Sequence, residues 1–306
     1  MKASFLPITL TLILSLACAG QAEDSNNPEV NEKPTVYRNL PYVTNGHQRQ
    51  KLDLYLPKDG NAVRHAAHNF PLIIRIHGGA WLGGSKDMER PGDYVHEGYA
   101  VASIGYRLIQ HAIFPAQIED CKAAIRYLRA NAQKYNLDPN RFAAWGWSAG
   151  GHLAALVGTT GDVNEFDVGE NLNVSSRVQA VVDYFGPADL LRMDEGREPN
   201  SMFHSNSNSP ESKLIGCNVP DNPEKAAKAS PVTYITKDDP PFLIVHGDKD
   251  PLVPHHQSEI LEAALKKAGV PVTFYTVKGG GHGGFKDPNV AKLTKEFFEK
   301  ILKYKK

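Results

Sequence analysis

Short apolar runs alternate with longer amphipathic stretches along most of the chain. Residues 51–56 (Lys-Leu-Asp-Leu-Tyr-Leu) alternate strictly, which predicts a half-exposed strand near a sheet edge. Residues 71–76 are apolar except for Arg75, and 100–104, 141–145, 178–184, 242–245 and 272–277 are further short runs suited to strands. Helical spacing marks a segment around 91–97 and a long helix over 115–135, stopped by the turn at 136–140. A small-residue helix starts near His152, and 258–268 and 290–302 are helical again. Strands alternating with helices predict an α/β fold with a mostly parallel central sheet and helices on both faces. The pattern weakens at 188–230, where Ser, Asn and Pro cluster. So long a stretch after the strand at 178–184, taken as the sixth of the sheet, predicts a lid-like, substrate-binding insertion. Phe203 and His204 are its candidates to close over substrate.

Charge narrows the function classes. The 306 residues carry 34 Lys+Arg against 34 Asp+Glu, so no basic field exists to attract nucleic acid or an anionic membrane. Residues 1–22 have the form of a signal peptide, with Lys2, an apolar run over 5–17, and small residues at Ala17, Ala19 and Ala22. The run is too short for a comfortable transmembrane anchor, so a secreted or periplasmic protein is expected. Cys18 opens a lipoprotein alternative, although Ser15-Leu16-Ala17 fits the acylation signal poorly. Residues 23–34 form a polar leader and 35–306 the catalytic domain. Cys121 lies on the stripe Ile118, Cys121, Ile125, Leu128, a buried helix face, which makes it a core thiol. A Cys121–Cys217 bridge is permitted in an exported protein. No Cys-x-x-Cys or His/Cys cluster has zinc spacing, so no metal is expected.

The chemistry centres on Gly146-Trp147-Ser148-Ala149-Gly150, set between an apolar run and a helix. A serine there sits on a sharp strand-to-helix turn that exposes its hydroxyl, and Gly146 and Gly150 let the backbones close in around it. Such a hydroxyl needs a base, and the base needs an acid to fix its tautomer. His282, within Gly279-Gly280-Gly281-His282-Gly283-Gly284, is the candidate base. Asp250 is the favoured acid over Asp248, which suits a turn. Both loops follow apolar strands, at the sheet edge where α/β folds bind ligands. Oxyanion donors are expected from Gly78 and Gly79 in His77-Gly78-Gly79-Ala80-Trp81 and from the N–H of Ala149. His77 suits a structural hydrogen bond better than a second base. Trp81 and Trp147 flank these elements as candidate substrate-binding walls, or as core aromatics.

On these motifs the chain resembles the α/β-hydrolase superfamily over nearly all of 35–304. Within it, the chain looks like the bacterial esterases related to hormone-sensitive lipase, in the feruloyl-esterase-like and acetyl-xylan-esterase-like branch. HGGAW at 77–81, GWSAGG at 146–151, HGDKDPLVP at 246–254 and GGGHGGF at 279–285 carry the resemblance. It implies a serine esterase that works through an acyl-enzyme without a cofactor. Ala80 stands where the lipase-like group has a third glycine, and Trp147 where it has an acidic residue. These departures imply short acyl or aromatic esters, small or polysaccharide-linked, rather than lipids. The acid loop also resembles that of serine exopeptidases related to prolyl oligopeptidase, which usually carry a large gating domain. A catalytically inactive binding protein of the same fold is a third possibility, although such proteins typically lack a triad member.

Overall fold

The computed structural model describes residues 34–58, 69–88 and 91–303. The expected signal peptide with Cys18 and nearly all of the polar leader lie outside the described residues. Eight strands form one sheet: β1 Thr35–Pro41, β2 Lys51–Leu56, β3 Phe70–Ile76, β4 Ala100–Ile104, β5 Leu137–Trp147, β6 Ala180–Tyr184, β7 Phe242–Gly247 and β8 Val272–Val277. Their spatial order is β1-β2-β4-β3-β5-β6-β7-β8. β1, β2 and β4 pair antiparallel, and from β4 to β8 every pairing is parallel. The helices are α1 Ala116–Ala130, α2 Ala149–Thr159, α3 Pro210–Ile215, α4 Pro223–Lys228, α5 His256–Ala268 and α6 Pro288–Leu302. The parallel strands are apolar because helices cover them: Ile74, Ala144, Val181 and Ile244 belong to one core cluster, Ala143, Val182 and Val245 to another.

Several sequence expectations shift. β2 is not half-exposed: β1 lies outside it, and five of its six residues are buried. The alternation misleads because its polar member, Asp53, is buried with partners. Asp53 accepts the Asn39 N–H at 2.7 Å and pairs with Arg38 at 3.1 Å and Lys86 at 2.8 Å. The expected helix near 91–97 is a single 3₁₀ turn, Gly92–Val95. α1 ends at Ala130, and β5 starts at Leu137, inside the expected turn, because Leu137 pairs with Phe70. The stripe Ile118, Cys121, Ile125, Leu128 is buried as predicted. Cys121 and Cys217 are free thiols, so the permitted bridge is not formed. Among the described residues, no helix is long and apolar enough to cross a membrane.

Candidate active site

Ser148 ends the turn between β5 and α2 with φ 55° and ψ −126°, a backbone region that side-chain-bearing residues seldom occupy. The turn holds because nothing blocks its two glycines. A Cβ on Gly146 would lie 2.0 Å from the Gly150 carbonyl oxygen, and one on Gly150 2.1 Å from that of Ile76. The Ser148 N–H donates to the Tyr184 carbonyl at 2.8 Å, tying the turn to the end of β6. The hydroxyl points at His282: Oγ to Nε2 is 2.9 Å, and His282 Nδ1 to Asp250 Oδ2 is 2.7 Å. The three residues named from sequence therefore form one hydrogen-bonded chain. Asp248 stands apart, accepting the Gly279 N–H at 2.6 Å as a turn-former.

The electrostatics suit a nucleophile and base. Burial pushes the Asp250 carboxyl up, but hydrogen bonds from His246 and His282 outweigh it and hold the group well below the usual carboxylate range. Asp250 is thus an anion wherever the protein is folded near neutrality, able to fix the His282 tautomer with the proton on Nδ1. Nε2 is then free to accept the Ser148 proton.

The loop after β3 has three consecutive residues with positive φ: Gly79 at 110°, Ala80 at 53° and Trp81 at 57°. Gly79 and Ala80 line the cavity beside Ser148. Gly78, the other expected donor, does not line the cavity, and a Cβ on it would meet the Trp147 ring at 2.8 Å. Ala80 is the residue sequence reasoning missed here, although it occupies the third position of the glycine motif. Ala149 is buried as the first residue of α2, so its N–H has no acceptor within the helix.

The cavity over Ser148 encloses about 590 Å³ and is walled mainly by apolar side chains: Trp147, Tyr184, Phe185, Phe285, Leu252 and Val290. Only Trp147 among these was singled out from sequence. Phe285 closes the GGGHGGF motif and Phe185 directly follows the strand expected at 178–184, signals that could have marked them. Phe185 packs edge-on to His282, with ring centroids 4.7 Å apart. The Tyr184 hydroxyl is engaged with Thr294 at 2.6 Å, so this ring presents carbon to the cavity.

This geometry coincides with a family match. The family model described as BD-FAE matches residues 52–265, well over half of the chain. The chain belongs to the BD-FAE family. Among curated relatives, Esterase LipQ of Mycobacterium tuberculosis is 32% identical over 249 residues, covering 80% of this chain and 56% of LipQ. The BD-FAE chain thus spans about half the length of the curated relatives it matches. Among solved structures, a truncated carbohydrate esterase from gut microbiota is 38% identical with a TM-score of 0.77, over 87% of this chain and 95% of that one. An acetyl ester-xyloside bifunctional hydrolase from Caldicellulosiruptor lactoaceticus is 26% identical with a TM-score of 0.66, over 82% and 87%. The BD-FAE chain thus has the α/β-hydrolase fold and is similar to proteins named as esterases.

Two sequence candidates in this BD-FAE chain lie away from the cavity wall. Trp81 is 1% exposed and is no substrate wall. Its indole N–H donates to His152 Nδ1 at 3.2 Å, and His152 Nε2 donates to the Ala229 carbonyl at 2.7 Å. Burial lowers the His152 pKa to about 4, which keeps the ring neutral and able to accept from Trp81. A large apolar ring with one satisfied donor is a core residue. Likewise, the 188–230 segment contributes no residue to the cavity wall. Leu190, Leu214, Ile215, Val219 and Ala226 join the main core, while the Met202 N–H donates to the Pro251 carbonyl at 2.8 Å. Phe203 is exposed under the Arg197 guanidinium, and His204 is buried against Glu211 at 3.0 Å. The segment braces the acid loop. His77 is the expected structural hydrogen-bonder, receiving Arg49 at 3.2 Å and stacking on Tyr106.

Proposed function

We propose that the protein is an exported serine carboxylic-ester hydrolase that cleaves short acyl or aromatic esters, with acetyl or feruloyl groups of plant polysaccharide as natural substrates. The hydrogen-bonded chain Ser148–His282–Asp250, opening onto an apolar cavity, carries this proposal. His282 Nε2 takes the Ser148 proton as Oγ adds to the ester carbonyl carbon. The oxyanion that forms meets the N–H groups of Ala149 and of the Gly79–Ala80 strap. Losing one such donor typically raises the barrier by roughly 3–4 kcal/mol. His282 then delivers its proton to the departing alcohol, leaving an acyl group on Ser148. Water, deprotonated by the same imidazole, attacks that acyl group and frees the serine. Asp250 stays ionised and steadies the imidazolium at both steps.

The apolar wall supports an acyl or aryl group in the cavity, and the resemblance to a carbohydrate esterase and an acetyl ester-xyloside hydrolase supports a sugar-linked ester. Export rests on the signal-like residues 1–22. The test is kcat/KM on p-nitrophenyl acetate, butyrate and octanoate, methyl ferulate, acetylated xylan and an aminoacyl p-nitroanilide. Turnover of acetylated xylan or methyl ferulate is expected to lead the panel. Preference for the anilide would replace the esterase with the exopeptidase.

A further inference from the structure

Asp250 is held by more donors than the orientation of one imidazole requires. Its Oδ1 accepts the N–H groups of Leu252 at 2.8 Å and Val253 at 3.0 Å. Its Oδ2 accepts His282 Nδ1 at 2.7 Å and also faces His246 Nε2 at 3.2 Å. His246 lies on β7 with no exposed surface, and its Nε2 is also 3.0 Å from the Val253 carbonyl oxygen. A carbonyl can only accept, so the proton sits on Nε2, divided between that oxygen and Asp250. Nδ1 is then the acceptor for the Ser258 hydroxyl of α5 at 2.7 Å. A continuous chain runs from Ser258 through His246, Asp250 and His282 to Ser148.

We propose that His246 is a positioning residue for ester hydrolysis: its Nε2–H shares Asp250 Oδ2 with His282, aiming that oxygen and drawing off part of its charge, so that Asp250 orients His282 without over-stabilising the imidazolium. The proposal rests on the serine-esterase function above. The other charged groups around this chain face elsewhere. Asp248 pairs with Lys278 at 3.4 Å, and Lys249 with Glu198 at 3.0 Å. His255, whose ring centroid is 5.5 Å from that of His246, is bound to Glu259 at 3.2 Å. Phe185 fills the remaining side, with its ring against both histidines. Among the described residues, His246 is therefore the one side chain besides His282 that donates to the acid.

The consequence is a displaced pH profile rather than a uniform loss. Without the second donor, Asp250 Oδ2 bears more charge toward His282, the imidazolium holds its proton longer, and the acid limb of kcat/KM moves to higher pH. The experiment records kcat/KM for p-nitrophenyl acetate from about pH 5 to about pH 9 in the wild type and in His246→Leu, His246→Gln and Ser258→Ala. Leu removes the donor, and its limb is expected to rise by about 0.5–1 unit, a roughly three- to tenfold deficit at the acid end beyond any change on the plateau. Gln keeps an N–H near the Nε2 position and is expected to restore the wild-type limb. Ser258→Ala releases the tautomer and is expected to move the limb by less, in the same direction. A loss in His246→Leu that is equal at every pH, or a limb that moves down, overturns the proposal. If His246→Leu does not fold, an unmoved limb in Ser258→Ala overturns it. A wild-type protein that turns over no ester overturns the esterase function and this proposal together, whereas an active wild type with unmoved variants overturns only this proposal.

Discussion

Trp81 and Trp147 each stand within two residues of a motif glycine, yet one is core and the other is wall. Trp81 is sealed under the strap after β3 because His152, four residues past the nucleophile, supplies an acceptor for its indole N–H. Trp147 points along the outside of the β5 turn into the cavity, with the Arg75 guanidinium carbon 5.1 Å from its ring centroid and 3.7 Å from that of Trp145. The difference is one of partners. On the Trp81 side a buried imidazole accepts from the indole's single donor. The Trp81 side therefore governs how the strap is held, and the Trp147 side what the cavity admits.

Substituting Trp81 by Ala should break that division most severely. A buried Trp replaced by Ala costs about 3–5 kcal/mol, and the strap it anchors would lose its hold on Gly79 and Ala80. Chemical denaturation should show that loss, and kcat should fall by roughly 10²–10³ as an oxyanion donor drifts. Wild-type stability with wild-type kcat would remove Trp81 from the core of this account.

Acid should strike the same side next. The folded-state pKa of His152, lowered to about 4 by burial, lies below that of the unfolded chain. As pH falls, the unfolded state takes up a proton first, so stability is lost between about pH 6.5 and about pH 4, by roughly 2–3 kcal/mol. Replacing His152 by Gln should flatten that part of the stability curve, measured as denaturation midpoint against pH. An unchanged slope would place the acid sensitivity elsewhere, and His77, also lowered to about 4 by burial, would be the next residue to test.

Trp147→Ala should give the smallest change in stability and the sharpest change in selectivity. The ring lies on a cavity wall, so the expected cost is about 1 kcal/mol or less. KM for the longer and aromatic esters should rise about tenfold, while p-nitrophenyl acetate changes little. Equal losses across the ester panel would mean that the ring supports the turn rather than the substrate.

The sequence revealed the site better than its surroundings. Ser148, His282 and Asp250 are recognisable because each lies in a short motif whose glycines or turn residues are dictated by local backbone geometry. The same locality made the parallel strands visible, as continuous apolar runs. What stayed hidden depends on contacts far along the chain. Asp53 makes β2 look half-exposed until Arg38 and Lys86 arrive, and β1 itself is nearly all surface, with no apolar pattern to betray it. The 188–230 segment reads as a lid because its apolar residues are sparse, yet Leu190, Leu214, Ile215, Val219 and Ala226 pack into the main core. Trp81 looks like Trp147 until His152 is folded against it.

The most direct test of the central claim is covalent labelling of the active protein by a fluorophosphonate, with the modified residue located by peptide mass spectrometry. A single adduct on Ser148, formed in step with loss of ester turnover and absent from Ser148→Ala, is the predicted result. Labelling at another residue, or full ester turnover by Ser148→Ala, would contradict it.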